Sequence, residues 1–125
     1  MSNIWTVPKP TKHMKGLCRE LGSEYSIVPF DLERVIYRNF GNGHDVEISR
    51  VNTTSIKKKA VIYLWKDTNR IIKIVEGVPQ ADIGKWVEWL REKAQSLTPE
   101  DFAEDGFLKE ERTIYVEVPQ CRANH

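Results

Sequence analysis

Thiol chemistry is scarce in this chain. Its two cysteines, Cys18 and Cys121, lie far apart and cannot build the dense disulfide framework of a small secreted scaffold. Both thiols are therefore expected reduced, in a cytoplasmic setting. Charge of one sign is not in excess either. Nineteen lysines and arginines stand against 18 aspartates and glutamates, a formal net charge of +1, far from the basic signature of a dedicated nucleic-acid binder. No run approaches the ~18 apolar residues of a membrane-spanning helix, so no membrane association is expected. The opening residues lack the basic start, apolar stretch and small-residue cleavage site of a secretory signal, and none is expected. Phosphate loops, dinucleotide fingerprints and nucleophile elbows are missing. Internal repeats and low-complexity segments are missing too.

What is present suits one folded domain. The 125 residues are 40% hydrophobic and 30% charged, a balance that argues against disorder. A chain of this size buries roughly two-thirds of the surface its unfolded form exposes, enough to fold without disulfides or a structural metal. A single domain over 1–125 is expected, with residues 1–10 (Pro8, Pro10) as an extended arm and 119–125 as a frayed tail.

Periodicity supplies the elements. Thr11 can cap a helix over 11–21, in which Met14, Leu17, Cys18 and Leu21 form one apolar stripe and Gly22 stops the run. Residues 25–28 make a short strand closed by Pro29, which restricts it to an edge or to irregular structure. Asn42-Gly43 is the strongest hairpin signal, because a two-residue turn needs positive φ at both central positions. Placing it in the loop sets Gly41 opposite His44, Arg38 opposite Glu47, Tyr37 opposite Ile48 and Ile36 opposite Ser49. Strands over 57–66 and 70–76 follow, joined by Asp67-Thr68-Asn69. A long amphipathic helix over 79–97 carries Ile83, Trp86, Val87, Leu90, Ala94 and Leu97 at a 3.6-residue period. In it Trp86 is core and Trp89 sits at the rim. Thr98 to Asp101 opens a second short helix, 103–111 reads as loop, and 113–118 as a last strand. Clustered strands argue for an α+β fold, an antiparallel meander of four to six strands packed on the long helix with a short N-terminal helix.

Both faces of this sheet are apolar. Val35, Tyr37, Val46 and Ile48 fall on one face of the hairpin, with Ile36, Arg38, Glu47, Ser49 and Val51 on the other. Ala60, Ile62, Leu64, Ile72 and Ile74 form one face of the next pair, leaving Val61, Tyr63, Trp65, Ile71 and Val75 opposite. A sheet with one solvated face alternates cleanly; this one does not. The long helix covers one face, and the first helix is expected over part of the other. Trp5, Phe102 and Phe107 are further candidates to bury it. What remains uncovered would be an interaction patch.

The candidate binding residues are therefore Arg38, Lys59, Tyr63, Trp65, Lys73 and the rim residue Trp89. They suit a non-catalytic binding protein, a small inhibitor, an immunity or accessory protein or an assembly subunit, with a protein partner favoured and a homodimer through the sheet as one form. A nucleic-acid module is the alternative, with bases stacking on Tyr63 and Trp65 and basic residues, including Lys57 to Lys59, on phosphates. Lysines at strand ends equally serve as ordinary guards against edge pairing. A metal-dependent enzyme around His44, Asp45 and Glu47 is the third reading, since Asp45 and Glu47 project to one side of a strand. Its plainer explanation is turn chemistry, with Glu47 paired to Arg38. Cys121 and His125 with His13 and Cys18 lack the paired spacing of a zinc site. No metal or cofactor is expected.

Overall fold

Thr11 opens the first helix as its residue type suggests. In the computed structural model, which describes residues 7–109, the Met14 N–H donates to the Thr11 hydroxyl at 3.0 Å. Helix α1 then runs Lys12–Leu21. Its apolar stripe faces the core, with Met14 fully buried and Leu17, Cys18 and Leu21 packed beside it. Gly22, at φ 130, ends the helix with its N–H on the Cys18 carbonyl; that backbone region favours glycine.

Five strands follow: β1 (Ser26–Phe30), β2 (Glu33–Asn39), β3 (His44–Ser49), β4 (Ala60–Lys66) and β5 (Arg70–Val78). They lie in sequence order, each antiparallel to the next. The α+β class and the antiparallel meander read from the sequence are what the chain forms. Pro29 sits within β1 on the sheet edge, where its missing N–H costs no inner ladder bond.

The central hairpin differs from expectation by one residue. Ile36 faces Ile48, Tyr37 faces Glu47, Arg38 faces Val46 and Asn39 faces Asp45. Three residues, Gly41 to Gly43, make the turn, and the Phe40 N–H donates to the His44 carbonyl at 2.9 Å. Gly41 and Gly43 both sit at φ 85 while Asn42 is not among the positive-φ residues, so the two-residue Asn-Gly turn does not form. The Asn39 and Asn42 side chains instead accept from the Gly41 and His44 N–H groups. Tight turns with two consecutive positive φ values occur at Asp31-Leu32 and Asp67-Thr68, where no glycine marks them.

A one-residue slip moves a whole strand's side chains to the other face. Ile36 and Arg38 therefore join Val46 and Ile48, while Val35 and Tyr37 join Asp45, Glu47 and Ser49. Two register shifts between β4 and β5 redistribute that pair as well. Val75 opposes Ile62 on the core side, and Ile74 opposes Tyr63 on the other side, the reverse of the expected faces for both.

The second helix is shorter than the expected 79–97. A 3-10 turn, Gln80–Asp82, leads into α2, Ile83–Ala94. Its buried residues Ile83, Trp86, Val87 and Leu90 share one cluster with Ile36, Val46, Ile48, Ile62, Leu64, Ile72 and Val75, and Met14 of α1 belongs to the same cluster. Both helices thus lie on one side of the sheet, which corrects the expected placement of the first helix on the other. Phe102 packs on that cluster too. Trp89 stays at its rim, edge-on to Trp86 at 5.3 Å. Pro99–Asp101 form a 3-10 turn, fixed by the Thr98 N–H donating to the Asp101 carboxylate at 2.7 Å. The expected strand over 113–118, the tail 119–125 and Trp5 lie outside the described residues. Among those described, no helix is long and apolar enough to cross a membrane.

Candidate functional site

Strand β3 is central in the sheet, and every one of its residues is buried. A doubly buried strand ordinarily reads as a continuous apolar run. Here His44, Asp45, Glu47 and Ser49 are polar, at 9%, 4%, 7% and 4% exposure. Alternation sends His44, Val46 and Ile48 toward the helices and Asp45, Glu47 and Ser49 away from them.

The face turned away from the helices is a trough. Val35 and Val61 are buried there without joining the helix-side cluster. Phe30 of β1 and Trp65 of β4 meet edge-on, with ring centroids 6.0 Å apart at 80°. Two strands separate their own strands, a span of roughly 14 Å at the usual ~4.8 Å spacing. Side-chain reach and sheet twist close that gap. Below the rings lies a cavity of about 210 Å³ lined by Val28, Phe30, Val35, Tyr37, Asp45, Glu47, Trp65 and Thr68.

Its polar groups are held unequally. The Trp65 indole N–H donates to Glu47 Oε1 at 3.0 Å. Burial, followed by the nearby Glu33, Asp31 and Asp45 charges, pushes the Glu47 carboxyl up from its ordinary 4.5, against the pull of that indole bond. Asp45 Oδ1 has no hydrogen-bond partner among the described residues. Burial and then the Asp45 carboxylate beside it push the Tyr37 phenol up to about 12, so Tyr37 stays a neutral donor at ordinary pH.

The helix side of the same strand ends differently. Among the described residues, neither ring nitrogen of His44 has a partner at hydrogen-bonding distance, and burial pushes its pKa down from 6.5. It borders a second cleft with Lys66, Arg70, Leu97, Thr98, Pro99 and Phe102. His44 therefore opens away from Asp45 and Glu47. Among the described residues, no three histidine, cysteine, aspartate or glutamate side chains gather closely enough to hold a metal ion. His13 Nε2 lies 2.6 Å from Gln80 Oε1, and burial raises the Cys18 thiol. Cys121 and His125 lie outside the described residues.

The six binding residues expected from the sequence do not converge. Tyr63 and Trp65 share the trough face. Arg38 points to the helix side, where its Nη1 donates to Tyr25 Oη and Glu88 Oε2, both at 3.2 Å. Its guanidinium carbon also lies 5.3 Å from the Tyr25 and Phe40 ring centres. Lys73 opposes Leu64 and is buried, with Nζ 6.0 Å from the Trp89 ring. Lys59 is exposed just before β4. The expected Arg38–Glu47 pair does not form, because the register shift sets them on opposite faces. Phe30, Tyr37 and Val28 were missed as site residues. The signal that could have found them is the acidic pair at i, i+2 inside an otherwise buried strand.

The assembled features define a meander with α1 and α2 on one face and a half-open aromatic trough, floored by two carboxylates, on the other. No protein-family model, curated protein or solved structure matches the chain.

Proposed function

We propose that this chain is a binding protein that occupies a protein partner through the sheet face opposite α1 and α2, as a small inhibitor, an immunity or accessory protein, or an assembly subunit would. The trough carries this reading. Phe30, 43% exposed, and the half-buried Tyr37, Tyr63 and Trp65 give that face the large, rigid aromatic contacts that anchor protein interfaces. The widely spaced cysteines favour a reducing, cytoplasmic setting.

The competing readings draw less support. Acid–base or metal catalysis needs converging groups, and His44 opens away from Asp45 and Glu47. A nucleic-acid groove needs cations beside its aromatic rings; here Arg38 and Lys73 lie under the helices while the trough supplies carboxylates, which repel phosphate. A twofold dimer through the trough would set the same acidic patch against itself.

Photo-crosslinking in lysate of the source cells tests the reading. A photoreactive residue replaces Tyr63 in one preparation and the exposed helix residue Glu92 in another. A discrete protein adduct at position 63 is expected, absent at position 92, surviving nuclease and high salt, and competed away by unlabelled chain. Nucleic acid in the adduct, or adducts only with a second copy of this chain, would count against it.

A further inference from the structure

We propose that the trough takes one organic cation, the ammonium or guanidinium head of a lysine or arginine side chain presented by the partner, held between Asp45, Glu47 and the rings of Trp65, Phe30 and Tyr37. This rests on the partner reading above and adds the chemistry of the group that enters.

Three independent features meet in the cavity. Asp45 is 4% exposed, lines it, and keeps Oδ1 without a partner among the described residues. A buried acceptor left unmatched costs free energy until a donor arrives. Glu47 is held in place by the Trp65 indole, and Asp31, Glu33 and Asp45 are the acidic groups whose charges bear on it. The local field therefore favours a positive charge. The walls are aromatic, and a cation within about 6 Å of a ring centre is drawn to its face.

Other occupants fit less well. Calcium takes six to eight oxygen ligands, and half of the lining, Val28, Phe30, Val35 and Trp65, offers no side-chain oxygen. A phosphate or carboxylate would face two carboxylates. A basic side chain matches both halves of the cavity: its charged head meets Asp45 and Glu47, and its methylene stem lies on Val28 and Val35. The planar, multi-donor guanidinium is the better match to two oxygen acceptors and a ring. About 210 Å³ is roughly seven times the ~30 Å³ share of one water, enough for such a group.

The test uses the full chain labelled with ¹⁵N. Four tryptophans give indole N–H signals, and Trp65→Phe identifies the one bonded to Glu47. Titration with n-butylguanidinium is expected to move the Trp65 signal saturably, while the neutral isostere n-butylurea leaves it in place. Asp45→Asn is expected to weaken the response about tenfold or more. The comparison of the two probes on the unmutated chain stands even if that variant does not fold. Equal movement with n-butylurea, no movement, or a stronger response to calcium would overturn the inference. A silent titration beside an intact adduct at position 63 sinks the cation and leaves the partner. A saturable titration without any protein adduct sinks the partner reading instead.

Discussion

The two faces of one sheet obey different rules. On the helix side, Ile36, Val46, Ile48, Ile62, Leu64 and Val75 meet Met14 of α1 and Ile83, Trp86, Val87 and Leu90 of α2 in a closed cluster. The charges admitted there are matched, as with Arg38 between Tyr25, Phe40 and Glu88. On the trough side, the same central strand buries Asp45 and Glu47 beneath rings, with one carboxylate oxygen unmatched. A side chain's neighbours across the pleat, more than its residue type, decide whether it stabilises the fold. The helix face carries the closed apolar core, and the trough face buries carboxylates that this core does not enclose.

That contrast can be broken first on the helix side. Leu64 is fully buried between the sheet and the helices. Leu64→Ala is expected to cost about 2–5 kcal/mol, the range for emptying a packed core position, measured by denaturant unfolding. A loss under about 1 kcal/mol would mean that this side is not the core.

The next effect concerns the polar exception on that side. Burial lowers the His44 pKa below 6.5, so the unfolded chain binds the proton more readily. The stability it contributes is complete above pH 6.5 and is lost as pH falls through 6.5 toward the folded value. His44→Phe is therefore expected to lose less stability than the wild type between pH 7 and pH 5, measured by denaturant unfolding at both pH values. Parallel curves for the two proteins would contradict it.

The smallest effect lies on the trough. Tyr63→Thr keeps a strand-forming residue at a half-buried position of β4 and is expected to shift stability by no more than about 0.5 kcal/mol. The same change should remove most partner binding. A large loss of stability there would make Tyr63 a core residue.

How much of this was legible in the sequence follows from what each signal reports. The cap at Thr11, the stripe of Met14, Leu17, Cys18 and Leu21, and the period of α2 are local, and local rules found them. The meander was legible because turn chemistry separates alternating runs. Register was not. Asn42-Gly43 invited a two-residue turn, whereas Gly41 and Gly43 share the φ > 0 positions in a three-residue loop, and the slip moved Arg38 off the aromatic face. Lys73 went the same way, because the irregularities between β4 and β5 obey no local pattern. Asp45 and Glu47 were correctly seen on one side of their strand. That they lie in a buried trough depends on where both helices pack, which no stretch of sequence states.

A binding trough keeps its carboxylates at the expense of stability. Denaturant unfolding of Glu47→Gln against the wild type decides it, since glutamine can still accept from Trp65. Because the folded state raises the Glu47 pKa above 4.5, its charge should weaken the fold as pH rises. The variant is expected to be more stable than wild type at pH 7, by about 1 kcal/mol, with the gain shrinking toward pH 4.5. A less stable variant at pH 7 would show Glu47 to be a satisfied structural group, and the case for a waiting site would fall with it.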